Sequence, residues 1–166
     1  MGMIMTLVRL SSAKYQEYID NPEALENDVD DYLSGDTEDT IDLDKSWEAI
    51  HFILTGNNIG NGDGPLAKAV CSDQFFDEEQ DLGMGPASYL TPIQVKEVNA
   101  LLEKIDDNFL KEHFNPAEMS KLEVYPGDWE SDPDNQFEYI TENFIKLQTF
   151  YREAAKNGYA ITSIAN

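Results

Sequence analysis

The apolar positions of this chain change period several times, and each change predicts an element. Residues 3–10 are almost continuously apolar and partly β-branched, the pattern of a buried strand. Ser11 or Ser12 then offers a cap for a helix running to about Asp20. Asn21-Pro22 interrupts the chain and starts a second short helix over 23–33, which ends near Ser34-Gly35. Over 43–55, Leu43, Trp47, Ile50 and Leu54 repeat at helical spacing with His51 and Phe52 between them, and Gly56 closes the segment.

The run Gly56 to Pro65 is a loop by composition, residues 66–71 suit a short helix, and 72–90 read as irregular. Thr91-Pro92 opens a helix over 92–105, with the cap residue followed by proline at its first position. Two short helices follow at 106–113 and 116–120, then a short strand at 122–125 before Pro126-Gly127 and a polar loop over 127–135. Phe137, Ile140, Phe144, Leu147 and Tyr151 place an apolar stripe on a long helix over 134–156, ended by Asn157-Gly158. Residues 159–165 read as a terminal strand.

Strands at both ends with helices between predict an α+β fold: one compact domain over 1–166, in which the N- and C-terminal strands share a small sheet covered by several helices. Residues 122–125 are a further candidate strand for that sheet. There is no internal repeat and no low-complexity linker.

Charge changes the picture of partners. The chain has 33 acidic against 11 basic residues, a formal net charge of -22. Such a surface repels duplex DNA and anionic membranes, so the expectation is no nucleic acid and no membrane, with a basic protein as the favoured partner. Acidity also serves solubility alone. The stretch Glu17 to Asp44 holds acids and no Lys or Arg, too many like charges to bury together. Within it, Asp28, Asp30, Asp31, Asp36, Glu38 and Asp39 are the candidate interaction face.

The single cysteine, Cys71, permits no intramolecular disulfide, which fits a reducing cytoplasm, and its apolar neighbours suit a small core residue. No run reaches the roughly 18 apolar residues of a membrane span. The first residues lack a basic region ahead of their apolar stretch, so they make a poor signal peptide. They match the myristoylation pattern at Gly2 and Thr6, a short pattern that the strand reading accounts for equally well.

Local chemistry is sparse. Glycines 56, 60, 62 and 64 follow a helix, not a strand, lack dinucleotide spacing and have no Gly-Lys-Ser/Thr ending, so a phosphate loop is disfavoured. A calcium loop counted from Asn57 fails at Ile59 and at Lys68. With two histidines, His51 and His113, and no HExxH or CxxC spacing, no metal or other cofactor is expected. Glu48 and His51, three apart, could form an acid–base pair or ligate a metal; the plainer alternative is a part-buried histidine hydrogen-bonded to a neighbour. A Cys71–His51 pair depends on the fold bringing them together. Tyr125 and Trp129 flank a Pro-Gly turn and suit either a binding surface or the edge of the core.

Several stretches together resemble a known family: Met1-Gly2-Met3-Ile4, Leu43-Asp44-Lys45-Ser46-Trp47, Ile50-His51-Phe52, Leu54-Thr55-Gly56, Gly85-Pro86-Ala87, Tyr89-Leu90, Thr91-Pro92, Tyr125-Pro126, Trp129, Phe150-Tyr151, Ala154-Ala155 and Gly158. The chain is similar along its whole length to the YfbM-like family of bacterial proteins, a domain of unknown function. The resemblance implies a compact α+β protein of the bacterial cytoplasm and carries over no reaction and no site residue.

Two functional readings follow. The first is an interaction module, inhibitor- or immunity-like, whose acidic face meets a basic protein. The second is a small-molecule-binding protein or enzyme whose pocket gathers Trp47, His51, Tyr89, Tyr125 and Trp129 under a mobile glycine loop. The missing catalytic motif tips the balance away from an enzyme.

Overall fold

A computed structural model describes residues 2–35 and 37–166. The elements run β1 (Met5–Leu10), α1 (Ser12–Asp20), α2 (Glu23–Leu33), β2 (Thr40–Asp42), a 3-10 turn (Asp44–Ser46), α3 (Trp47–Thr55), a second 3-10 turn (Pro65–Lys68), β3 (Ser88–Leu90), α4 (Pro92–Leu102), α5 (Asp107–His113), α6 (Pro116–Lys121), α7 (Pro133–Asn157) and β4 (Ala160–Ala165). The four strands form one antiparallel sheet in the order β2-β1-β4-β3. The two terminal strands are therefore central, paired from Met5 with Ala165 to Leu10 with Ala160.

Alternation along the strands divides the core. Met5 and Leu7 of β1 and Ile161 of β4 face the larger cluster with α3, α4 and α7, whereas Val8, Leu10, Ala160 and Ile164 face a smaller cluster with Tyr18 of α1 and Leu25 of α2. Both faces are covered, which is why the strands read as unbroken apolar runs and not as alternation. The α+β class and the pairing of terminal strands are as expected from the sequence.

The edges of the sheet differ from expectation. Residues 122–125 are not a strand: the Val124 amide turns back to the Met119 carbonyl at 2.9 Å, and the Tyr125 amide goes to a side chain. The edge strands are instead β2, inside the acidic stretch, and β3, inside the segment read as irregular. Each is three residues long, too short to show a period. Long helices begin and end where their caps predict. Thr91 and Gln94 form a capping box ahead of Pro92, and Gly158 ends α7 at a φ of 69°, a conformation that favours glycine.

Candidate functional site

Helix α3 is apolar on every side, and its residues Trp47 to Leu54 are all buried. Two ionisable residues, Glu48 and His51, are carried into the interior with it. Glu48 spends both carboxylate oxygens on main-chain amides: Oε1 accepts from Ile59 at 2.9 Å and Oε2 from Tyr125 at 2.7 Å. One side chain thus fastens the glycine loop and the Tyr125-Pro126 turn to the same helix. It forms no hydrogen bond with His51, so the acid–base pair suggested by their spacing is not made.

His51 is 1% exposed, and neither ring nitrogen makes a well-formed hydrogen bond among the described residues, although the Asn58 backbone lies near the ring. Its pKa lies below the ordinary value because burial disfavours the imidazolium, outweighing the Glu48 charge and the nearby Asn58 backbone, which act the other way. The ring lines a cleft of about 460 Å³ together with Ile59, Gly60, Gly62, Asp63 and Gly64 of the loop and with Lys68, Cys71 and Asp73. The fold therefore does bring Cys71 and His51 to one cavity. Burial, with the Glu48 charge adding to it, raises the Cys71 thiol to about 11, so it stays protonated at neutral pH and is a poor nucleophile. Lys68 leans on Asp73 at 3.6 Å. Among the described residues no group of three His, Cys, Asp or Glu side chains is placed to hold a metal ion.

The five residues named from the sequence as a pocket do not share one cleft. Trp47 and Tyr125 stack at 5.5 Å and clasp the N-terminal segment: Trp47 Nε1 donates to the Met3 carbonyl at 3.0 Å, and the Met3 amide donates to the Tyr125 hydroxyl at 2.7 Å. Trp129 is fully buried and donates to the Val124 carbonyl at 2.8 Å, which makes it core. Tyr89 lies against the smaller cluster, stacked on Phe76 at 4.5 Å and beside Tyr15. Of the five, His51 alone lines the cleft under the glycine loop. Sequence reasoning passed over Lys68, Asp63 and Asp73, which join it there, and the stapling role of Glu48. The one available signal was a glutamate standing in the otherwise apolar run Trp47 to Leu54.

The candidate interaction face lies on α2, which covers the smaller cluster across the sheet from α3, and on the segment leading to β2, where Glu38 lies beside Arg9 and α7. Asp28 is drawn inward: it accepts from Lys14 at 2.7 Å and from the buried Tyr18 hydroxyl at 2.6 Å. Burial works to raise its pKa, but these two donors more than offset that and the net direction is down. Asp39 pairs with Arg9 at 3.5 Å. Asp30, Asp31 and Glu38 are exposed, and among the described residues their carboxylates have no partner. Asp36 lies outside the described residues.

Comparison with known proteins places this architecture. Residues 1–163 match the family described as Domain of unknown function (DUF1877), and the chain belongs to that family. It is 31% identical over 173 residues to Protein YfbM of Escherichia coli strain K12, covering 99% of both chains. The crystal structure of YfbM from Escherichia coli, a protein of unknown function, superposes with a TM-score of 0.74 at 23% identity, covering 98% of this chain and 99% of that one. That likeness establishes a common fold. Among the described residues no helix is long and apolar enough to cross a membrane.

Proposed function

We propose that this chain is an interaction module that engages a basic protein through the face formed by α2 and the segment leading to β2. The observation that carries the reading is the placement of Asp30 and Asp31. Both stand in the last turn of α2, where the helix dipole is negative, and no basic residue accompanies them there. Carboxylates at that end oppose the helix, so folding gives no reason for them.

Two cations of this region are already engaged, Lys14 with Asp28 and Arg9 with Asp39, while Asp30, Asp31 and Glu38 make no ion pair among the described residues, Glu38 sharing a surface hollow with Lys146 of α7. Opposite charge on a partner would speed encounter and make the complex sensitive to salt. The decisive experiment is affinity capture from a bacterial lysate at about 50 mM and about 500 mM salt, across which surface attraction is strongly screened. The expected result is a basic protein recovered at low salt, shed at high salt, and lost with Asp30→Asn, Asp31→Asn and Glu38→Gln combined. Capture that ignores both salt and these substitutions overturns the reading.

A further inference from the structure

The cleft beneath the glycine loop is separate from the acidic face and has its own chemistry. Its lining includes a histidine that is 1% exposed and whose ring nitrogens make no well-formed hydrogen bond among the described residues, with the Asn58 backbone nearby, a costly arrangement for buried polar atoms. The cleft volume of about 460 Å³ lies in the range of small-molecule sites. Ile59, Ala67 and the protonated Cys71 give it an apolar wall. Asp63 is exposed and makes no ion pair among the described residues, whereas Lys68, which also lines the cleft, is held by Asp73.

We propose that this cleft binds a small organic cation with an alkyl body, such as a diamine or an alkylguanidine, whose N–H donates to His51 while its charge faces Asp63. The class follows from what the lining offers. A neutral imidazole has one lone pair free to accept, and Asp63 supplies a free carboxylate. An anion would meet two carboxylates, one bound ammonium and a chain of net charge -22. A metal ion lacks a third ligand among the described residues. The alkyl body matches the wall of Ile59, Ala67 and Cys71.

The His51 nitrogens are shielded from solvent, so binding requires the loop to shift before the ligand can reach them. Gly60 and Gly64 both sit at a φ of 83° with open space where a side chain would be, while the Glu48–Ile59 and Asn58–Leu122 hydrogen bonds hold the loop base. The loop therefore has pivots beyond two fixed points.

The test is calorimetric titration with putrescine and agmatine, with glutarate as a chain-like dianion, joined to the ¹⁵N shifts of the His51 ring. The cations are expected to bind and to move the His51 nitrogens, and glutarate is expected to do neither. Asp63→Asn, on an exposed loop, should weaken binding about tenfold, equivalent to loss of one charge-assisted contact. Asp30→Asn removes the same charge on the far side of the sheet and should leave affinity unchanged. Equal weakening by Asp63→Asn and Asp30→Asn would show diffuse attraction to an acidic surface and overturn the site. Cation binding without a His51 response, no cation binding, or preference for glutarate would overturn it as well.

Discussion

The carboxylate of Glu48 accepts the main-chain amide of Tyr125 at 2.7 Å across 77 residues of chain. The other oxygen of the same group holds Ile59, so two loops far apart in sequence depend on one buried side chain for their position. The glycine-loop wall of the cleft and the Trp47–Tyr125 clasp on the N-terminal segment meet at this residue.

Removing that acceptor should therefore cost stability and loosen both loops at once. Glu48→Ala leaves two amides without their partner and is expected to lower unfolding free energy by about 2–6 kcal/mol, since each unmade hydrogen bond to a buried group costs about 1–3 kcal/mol. Glu48→Gln keeps one acceptor oxygen and should fall between wild type and Ala. Urea unfolding measures the order, and amide exchange at Ile59 and Tyr125 should quicken together. A Glu48→Ala protein as stable as wild type would refute the staple.

His51 sets the direction of an acid effect. Its folded pKa lies below the ordinary 6.5 because burial penalises the cation. As pH falls through that ordinary value, the unfolded chain takes up the proton first, so stability falls with acid until the folded pKa is passed. His51→Met, similar in volume and without a titrating group, should lack this component. Thermal unfolding of the two proteins at about pH 7.5 and about pH 5, spanning the range where histidine titrates, should show wild type losing more. Parallel losses would contradict the assignment of a buried neutral imidazole.

The charge at the end of α2 opposes folding, so relieving it should stabilise the chain. Asp30→Lys and Asp31→Lys replace an unfavourable charge near the negative pole of the helix by a favourable one, worth about 0.3–1 kcal/mol each. The double variant should melt higher than wild type and lose salt-sensitive capture of a basic protein. A melting point unchanged or lowered would remove the argument that these two residues are kept against the interest of the fold.

Tyr18 is fully buried, and its hydroxyl lies 2.6 Å from Asp28 and 2.7 Å from the Tyr32 hydroxyl. Tyr18→Phe should cost about 1.5–3 kcal/mol near neutrality, the range for a hydrogen bond to a charged group. The lowered pKa of Asp28 means its contribution is present above the ordinary carboxylate range and is lost as pH falls through the folded value. The gap between variant and wild type should accordingly narrow toward pH 3. Chemical denaturation across that range checks both magnitude and trend.

Much of the fold was legible in the sequence because its signals were local. Thr91-Pro92 and Gly158 carry helix ends in their own stereochemistry, and the apolar stripe from Phe137 to Tyr151 fixes α7. Strands β2 and β3 were not legible, since Thr40–Asp42 and Ser88–Leu90 are strands only because Thr6 to Val8 and Ile161 to Ser163 lie alongside. Val124 has the composition of a strand residue, yet its amide is claimed by Met119. The cleft was legible only as parts. His51, the glycine loop and Cys71 each stood out, but their meeting is a property of how α3 packs. Trp129 shows the converse, for an aromatic beside a Pro-Gly turn suits either a binding surface or the edge of the core until its indole is found bonded inside the core.

The central pair of the sheet joins the first strand to the last, so the contact on which every other layer rests is also the most distant in sequence. A chain emerging from the ribosome can pair one edge of β1 with β2, as Val8 does with Thr40, but the other edge stays open until Ala160 to Ala165 has followed. Before that point β1 is an open edge with apolar residues on both sides, the kind of segment that invites pairing with other chains. High net negative charge along the intervening 150 or so residues keeps such unfinished chains apart. Repulsion of this kind acts most usefully at the stage when the sheet cannot yet close.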